Sequence, residues 1–166
     1  TLRHVTHPVL PPPGIAVTMI EGYEKDNVVP GNVRLLLDFR IHPGMDHEQV
    51  GRFLDKGFEQ AGIDGCQRTL RYYMPGGEIG QDDRFVKLCL EERERLLGIK
   101  SFPQPFEASC EQCFLTEQGI RTVMCGPGDI AQAHTVGEFT REKQVRDAVK
   151  LYGRIIDRIL YKTKYN

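Results

Sequence analysis

The stretch Cys125-Gly-Pro-Gly-Asp-Ile-Ala-Gln-Ala-His134-Thr-Val-Gly-Glu138-Phe139 decides how the rest of this chain is interpreted. An apolar run over 120–124 precedes it and predicts a buried strand, and the long amphipathic segment that follows predicts a helix. The glycines and proline at 126–128 break the strand and let the backbone pass close to a bound group. The stretch therefore lies just past a strand end, where open α/β sheets hold their ligands.

His134 is the candidate metal ligand of this loop. An imidazole is a good zinc ligand, and the carboxylate of Glu138, four residues later, is suited to orient it from outside the coordination shell. The spacing alone also fits an ordinary surface or hydrogen-bonded histidine. Both interpretations stay open on these residues by themselves.

The composition is that of a globular protein. The chain has 166 residues, of which 40% are hydrophobic and 27% charged, and its net charge is −1. This charge gives no indication of a nucleic acid or an anionic membrane as partner. No apolar run approaches the roughly 20 residues that a membrane span needs. Five scattered cysteines favour reduced thiols, so we expect a cytoplasmic protein.

The chain opens on Thr1-Leu-Arg-His-Val-Thr-His, which is polar and resembles neither a secretory signal nor a natural start. We therefore expect a piece of a longer protein. Residues 1–14 hold the run Pro11-Pro12-Pro13 and predict an extended lead-in, with His4 and His7 in solvent.

Residues 15–75 predict most of a ferredoxin-like domain. Asp46 and Gln49 form a capping-box pair at the start of a helix that ends at Gly62. Alternating or β-branched segments predict strands at 15–21, 33–41 and 67–73. The order β-β-α-β is that of a βαββαβ unit without its leading strand and helix.

Residues 76–166 predict a second, mainly helical segment that begins after the turn at 75–80. The patterns favour a helix capped by Asp82 or Asp83, an irregular link with a possible short strand at 99–108, a short helix at 110–118, the strand at 120–125 and a helix at 140–161. The last helix carries an apolar stripe that we expect to pack in a core. Cys110 and Cys113 form a lone CxxC pair, which we interpret as small apolar fillers.

Three segments, taken in order, resemble the M20 family of zinc amidohydrolases. They are Asn27-Val-Val-Pro30, Asp38-Phe-Arg40 with Pro43-Gly44, and Cys125-Gly-Pro-Gly128 with Gln132-Ala-His134 and Glu138. The family includes acetylornithine deacetylase, succinyl-diaminopimelate desuccinylase, aminoacylase-1 and the carboxypeptidase G class. The last segment, together with Cys110-Glu111, looks most similar to the acetylornithine deacetylases.

The resemblance implies an α/β (α+β) fold in two parts. Residues 15–75 would form a partial ferredoxin-like lid, or dimerisation domain. Residues 76–166 would form the C-terminal part of a zinc-peptidase-like α/β catalytic domain. It also implies a homodimer formed through the lid.

The resemblance also assigns roles to single residues. His134 matches the last zinc ligand of the family, and Glu138 matches the acidic residue that follows it. Asn27 and Arg40 match lid residues that reach the substrate, Arg40 by binding its carboxylate, which suits a two-pronged guanidinium. Glu111 falls where relatives carry an acidic residue near the site. From the residues alone, Asn27 also fits a left-handed turn and Arg40 an ion pair with Asp38.

Members of the family hold two divalent metals, zinc or cobalt, and use a glutamate as general base. The motifs for the other ligands and for that base are expected upstream of this chain. The resemblance thus implies a parent enzyme that hydrolyses N-acyl amino acids. This chain alone is expected to be inactive and to bind no zinc tightly, because catalytic zinc needs about three protein ligands. Two alternatives are a homodimerisation or interaction module, and a non-catalytic relative that binds a small acid.

Overall fold

The structure, a computed structural model, describes residues 4–106 and 108–162. These residues divide into two compact units. The first holds the described residues up to Gly77 together with 108–114, and the second holds 78–106 together with 115–162. Each unit is described by itself below.

A two-stranded antiparallel sheet begins the first unit. Strand β1, Gly14–Glu21, pairs with strand β2, Arg34–Arg40. The register shifts between Val17 and Met19, so the intervening Thr18 bulges out of the ladder, and its hydroxyl donates to the carbonyl oxygen of Leu36 (3.2 Å). Both strands lie where the alternation of apolar side chains predicts them.

Helix α1, His47–Gln60, follows the sheet, and its start confirms the predicted capping box. The Asp46 carboxylate accepts the backbone N–H of Gln49 (2.7 Å), and the Gln49 side chain accepts the N–H of Asp46 (3.2 Å). These bonds satisfy N–H groups that a helix start otherwise leaves unpaired. Gly62 ends the helix with a φ of 66°, which a residue without a Cβ adopts at little cost.

The segment 67–73 differs from the prediction, because the structure has no strand there. Side chains hold this segment instead. Arg68 forms an ion pair with Asp55 on α1 (2.7 Å), and the Tyr73 hydroxyl donates to the carbonyl oxygen of Met45 (3.1 Å). A strand requires a neighbouring strand, and among the described residues the only sheet is β1-β2.

The lead-in is attached to the first unit rather than solvated throughout. The carbonyl oxygen of Pro11 accepts a hydrogen bond from Nε2 of His42 (2.6 Å), and the His42 side chain is buried. His7, expected in solvent, is half-buried, and its ring lies 5.3 Å from that of His42. His4 is exposed as predicted, and Thr1–Arg3 lie outside the described residues.

The second unit is built on two helices. Helix α2, Arg84–Leu97, begins at an Asp83 cap and ends at Gly98, whose φ is 68°. Helix α4, Glu142–Asp157, continues into a π-helical turn over Arg158–Lys162. The two helices pack through buried apolar side chains, namely Val86, Leu151 and Ile155. The short helix α3, Gln112–Glu117, lies within the predicted range.

A buried carboxylate joins α2 to α4. Glu92 is 4% exposed and accepts hydrogen bonds from Arg95 (2.8 Å), Arg154 (3.0 Å) and Arg158 (2.9 Å). Burial raises the pKa of Glu92, but the three arginines outweigh it and hold the pKa below its usual value. The carboxylate is therefore ionised at neutral pH.

Two further predicted strands are corrected. Neither 120–125 nor the described part of 99–108 is assigned to a strand, and Glu107 lies outside the described residues. The result is a mixed helical structure with one small antiparallel sheet, which confirms the α/β (α+β) class. Across the described residues, every helix is too short or too polar to cross a membrane.

Candidate functional site

The loop that carries His134 is held by short-range hydrogen bonds. Asp129 caps a 3-10 turn over Ile130–Gln132 by accepting the backbone N–H of Ala131 (3.0 Å). The backbone then reverses at His134, whose φ is 62°. In the part of the chain that the structure describes, His134 is the one residue other than glycine with a positive φ.

Glu138 stabilises this reversal. Its carboxylate accepts the backbone N–H of His134 (3.1 Å), and its own N–H donates to the carbonyl oxygen of Thr135 (3.2 Å). A left-handed backbone at a residue with a Cβ costs on the order of 1–3 kcal/mol and persists where the surroundings enforce it. Glu138 thus fixes the backbone of His134, whereas the sequence suggested that its carboxylate would orient the histidine as a metal ligand. The His134 side chain is exposed and free to meet a ligand from outside the loop.

The described residues do not assemble a metal site on their own. No three His, Cys, Asp or Glu side chains in that part of the chain come together as a ligand set. A catalytic zinc needs about three protein ligands, and His134 would supply one of them. The donors present here therefore do not fit a complete zinc site.

Cys125, at the start of the loop, is not an activated nucleophile. Partial desolvation of its thiol raises the pKa of Cys125, although the residue is exposed and Arg93 opposes the shift. Burial raises the pKa of the nearby Cys89 thiol to about 11, and repulsion from Cys125 adds to this. Both thiols are protonated at neutral pH, whereas nucleophilic cysteines have lowered pKa values. The carbonyl oxygen of Cys125 accepts a hydrogen bond from the Tyr152 hydroxyl (2.8 Å).

Arg40 forms an ion pair with Asp38 on the same face of β2. The Nε atom lies 2.9 Å from the Asp38 carboxylate, with the two side chains 67% and 46% exposed. A pair this exposed contributes about 0–1 kcal/mol to stability. The sequence offered this ion pair as the alternative to substrate binding by Arg40. The pair nevertheless leaves the guanidinium open to solvent and to a second carboxylate.

Asn27 lies in a tight turn between Lys25 and Val28. The backbone N–H of Val28 donates to the carbonyl oxygen of Lys25 (3.2 Å), and Asn27 is exposed. Its φ is not positive, so a left-handed conformation does not explain the asparagine. The side-chain amide therefore remains a candidate to contact a substrate.

Glu111 precedes α3 and is exposed. Its carbonyl oxygen accepts the backbone N–H of Phe114 (3.1 Å), which helps to start the helix. Cys113 on α3 is buried, and its thiol lies 3.1 Å from the carbonyl oxygen of Cys110, as expected of an apolar filler. Asn27, Arg40 and Glu111 belong to the first unit, and His134 and Glu138 to the second.

The sequence did not single out His42. This residue lines a cleft of about 540 Å³ in the first unit, with apolar walls that include Val5, Met45 and Phe53. Its Nδ1 atom is buried and has no hydrogen-bond partner among the described residues. The sequence did not predict that His42 is buried beside this cleft. Its contact to Pro11 depends on how the lead-in folds back, which the residues after β2 do not indicate.

Comparison with known proteins finds similarity to one family of enzymes. Residues 2–65 match the M20 family's peptidase dimerisation domain. The chain is 29% identical over 130 residues to acetylornithine deacetylase of Myxococcus xanthus, covering 75% of this chain and 32% of that protein. It is 27% identical over 139 residues to N-acetyl-L-citrulline deacetylase of Xanthomonas campestris pv. campestris, covering 83% of this chain and 37% of that protein.

The fold is similar to that of a solved M20 family metallo-carboxypeptidase from Sulfolobus solfataricus. The TM-score is 0.67 at 21% identity, covering 87% of this chain and 35% of that one. The resemblance to the M20 family is thus confirmed. The chain spans only about a third of the length of these relatives.

Proposed function

We propose that this chain, whose residues 2–65 match the M20 peptidase dimerisation domain, is the C-terminal part of a metal-dependent amidohydrolase that hydrolyses N-acyl amino acids. The similarity to acetylornithine and N-acetyl-L-citrulline deacetylases supports this class of substrate. The observation that carries the proposal is the loop in which Glu138 holds His134 in a left-handed backbone and leaves its imidazole exposed.

We assign His134 the role of one metal ligand in the longer parent protein. The metals, zinc or cobalt, supply polarisation of the acyl carbonyl and activation of water when bound. The remaining ligands and the general base would come from residues outside this chain. Glu138 positions His134, Arg40 and Asn27 contact the substrate, and Glu111 is the further acidic residue near the site. The chain alone is proposed to be inactive, and the parent to be cytoplasmic.

Metal content of the full gene product tests the role of His134. We expect His134→Ala to lower the zinc content per subunit by about one ion and to reduce turnover of N-acetyl amino acids by at least about 100-fold. Val136→Ala is the matched control, because this fully exposed side chain lies in the same loop. Unchanged metal content and turnover in His134→Ala would remove His134 from the site.

A second role, formation of a homodimer, is favoured by the family match of residues 2–65 and by exposed apolar side chains on both strands. These side chains are Ile15, Val17, Ile20 and Leu35. Sedimentation of the full product should give a dimer, and Val17→Lys with Ile20→Lys should give a monomer. A monomeric wild-type protein would contradict this role.

A further inference from the structure

The first unit contains a cleft beside which one buried hydrogen-bond acceptor has no donor. The cleft has a volume of about 540 Å³ and is lined by residues of the lead-in, of the turn after β2 and of the first half of α1. His42 is one of these lining residues and is 5% exposed. Its Nδ1 atom is buried and has no hydrogen-bond partner among the described residues. Such atoms are rare in folded proteins, because a buried acceptor without a donor is destabilising.

The hydrogen bond on the other side of the ring fixes the tautomer of His42. The Nε2 atom lies 2.6 Å from the carbonyl oxygen of Pro11, and a carbonyl oxygen can only accept a hydrogen bond. In the neutral imidazole the proton is therefore on Nε2, and Nδ1 carries a lone pair that needs a donor.

The neighbouring histidine of the cleft shows the contrast. The ring centroid of His7 lies 5.3 Å from that of His42. The Nδ1 atom of His7 accepts the backbone N–H groups of Val9 and Leu10, each at 3.3 Å. The chain thus supplies donors to this acceptor and supplies none, in its described part, to the Nδ1 atom of His42.

The lining of the cleft determines which kind of molecule it would accept. Its described lining residues include no aspartate, glutamate, lysine or arginine. Val5, Met45 and Phe53 supply apolar side chains, and Thr6 and Gln49 supply uncharged polar groups. A charged ligand would lose hydration here without gaining a counter-charge, which is costly. The cleft therefore favours a neutral molecule.

We propose that this cleft binds a small, neutral, mainly apolar molecule that donates one hydrogen bond, from an N–H or O–H group, to Nδ1 of His42. A planar aromatic body suits the site, because Phe53 offers an aromatic ring and Met45 a polarisable sulfur. The volume lies within the range of about 300–1,000 Å³ that is usual for small-molecule sites. None of the lining residues is among those assigned to hydrolysis above, so this inference goes beyond the proposed function and does not depend on it.

Binding requires a movement of the lead-in. The Nδ1 atom of His42 has almost no accessible surface of its own, so a ligand donor reaches it only after a neighbouring wall moves aside. Residues 5–7 of the lead-in form one wall, and the chain has no helix or strand over 5–13. This wall can shift without breaking regular structure, and its shift moves the ring of His7. The ring signals of both histidines should therefore respond to the ligand.

Indole and N-methylindole are a matched pair of probes, because they differ in one N–H donor. We expect indole to bind the full gene product with a dissociation constant of about 1 mM or tighter, and N-methylindole to bind at least about fivefold more weakly. In NMR spectra with isotope-labelled histidine rings, indole should shift the Nδ1 resonance of His42 more than N-methylindole does. Absence of indole binding would mean that the cleft is filled by another segment or holds only water, and would overturn the proposal. Equal affinities for the two probes would also overturn it.

Two valines of the lead-in give a matched pair of variants. Val5 lines the cleft, whereas Val9 is 62% exposed and does not line it. Val5→Trp should weaken indole binding by at least about tenfold, because the larger side chain occupies the volume that the probe needs, and Val9→Trp should keep the affinity within about twofold. The melting temperature of both variants should stay within about 3 °C of wild type. An unchanged affinity in Val5→Trp would show that indole binds elsewhere and would overturn the proposal.

His42→Leu tests the hydrogen bond itself. This variant should bind indole and N-methylindole equally, because it has no acceptor for the N–H group. A retained preference for indole would overturn the proposal. If the variant does not fold, the two probes and Val5→Trp still decide. None of these readouts uses turnover or metal, so an inactive full product that prefers indole would refute the proposed function and leave this inference standing.

Discussion

Arg40 has two possible roles: it pairs with Asp38, or it binds a substrate carboxylate. A substitution of Arg40 would affect only stability in the first role and catalysis in the second. As the partner of Asp38 it contributes about 0–1 kcal/mol to stability and nothing to catalysis. As the group that binds a substrate carboxylate it would contribute roughly 1.5–3 kcal/mol to transition-state binding. The 2.9 Å ion pair does not decide between them, because both side chains are largely exposed.

We therefore expect Arg40→Ala in the full product to lower kcat/KM by about 10- to 150-fold. The melting temperature should change little. Arg40→Lys should recover only part of the loss, because an ammonium cannot make the two-pronged contact. Steady-state kinetics measures these changes in kcat/KM with two substrates, one that has a free carboxylate and one in which that carboxylate is amidated.

The matched control for Arg40 is Asp38→Asn. It removes the same ion pair but keeps the guanidinium, so kcat/KM should stay within about threefold of wild type. If Asp38→Asn lowers kcat/KM as much as Arg40→Ala does, the pair rather than the arginine is required. If wild type and Arg40→Ala discriminate equally against the amidated substrate, Arg40 does not bind the carboxylate.

At this scale the sequence indicated which residues to examine but not their geometry. The loop from Gly126 to Glu138 was recognisable by its order of residues, and His134 stands in it. The positive φ of His134 and the bond from Glu138 to its backbone had no signal in the pattern, because they depend on how the loop closes. The roles of Asn27, Arg40 and Glu111 stay predictions.

Among the elements, the ion-pair cluster that joins α2 to α4 has a testable pH dependence. The pKa of Glu92 is below its usual value because hydrogen bonds from three arginines outweigh its burial. The unfolded chain therefore binds a proton here at a higher pH than the folded chain does. The stabilisation from ionised Glu92 is fully present above about pH 4.3, the pKa of a glutamate in the unfolded chain. It is lost as the pH falls through the pKa that Glu92 has in the folded chain.

We expect the free energy of unfolding to fall as the pH is lowered from about 5 towards 3, as measured by urea denaturation at a series of pH values. Glu92→Gln should flatten this dependence and lower stability at pH 7 by about 1–3 kcal/mol, since the hydrogen bonds from three partly exposed arginines lose their charged acceptor. Glu94→Gln, an exposed neighbour on α2, is the control and should keep the wild-type slope. An unchanged slope in Glu92→Gln would show that other carboxylates cause it.

Strands were the elements that sequence patterns predicted least well. The alternation in 33–41 and the β-branched run in 15–21 gave β2 and β1, because the two segments lie close together in sequence and pair with each other. The segments 67–73 and 120–125 also carry patterns that predict strands, yet neither segment joins a sheet in the described residues. An alternating pattern indicates which side chains avoid water. A strand also needs a neighbouring strand, and the pattern does not indicate which segment supplies that neighbour. The helices were predicted more closely, because their caps are local: Asp46, Asp83 and the glycines that follow α1 and α2.

For the molecule as a whole, the large accessible surface predicts an unusual heat capacity of unfolding. An unfolded chain of 18.9 kDa exposes about 27,000 Å², so unfolding from 13402 Å² exposes about 14,000 Å² more. A compact protein or pair of domains of this mass would expose about 17,000–19,000 Å². Because the heat-capacity change and the denaturant m-value both scale with the surface exposed on unfolding, each should be about 20–30% below the value usual for 166 residues.

For 166 residues the usual heat-capacity change is about 2.0–2.5 kcal/mol/K, so we expect roughly 1.5–1.9 kcal/mol/K for the isolated chain by scanning calorimetry. The full gene product should show the usual value per residue, because the rest of the proposed enzyme would cover apolar surface that the isolated chain exposes. Wild-type chain should also bind a dye specific for exposed apolar surface, and Val149→Asp with Ile156→Asp should bind less of it, whereas Lys150→Gln should not. A usual heat-capacity change in a chain that sediments as a monomer would mean that these apolar groups are already buried within the chain, and would contradict this prediction.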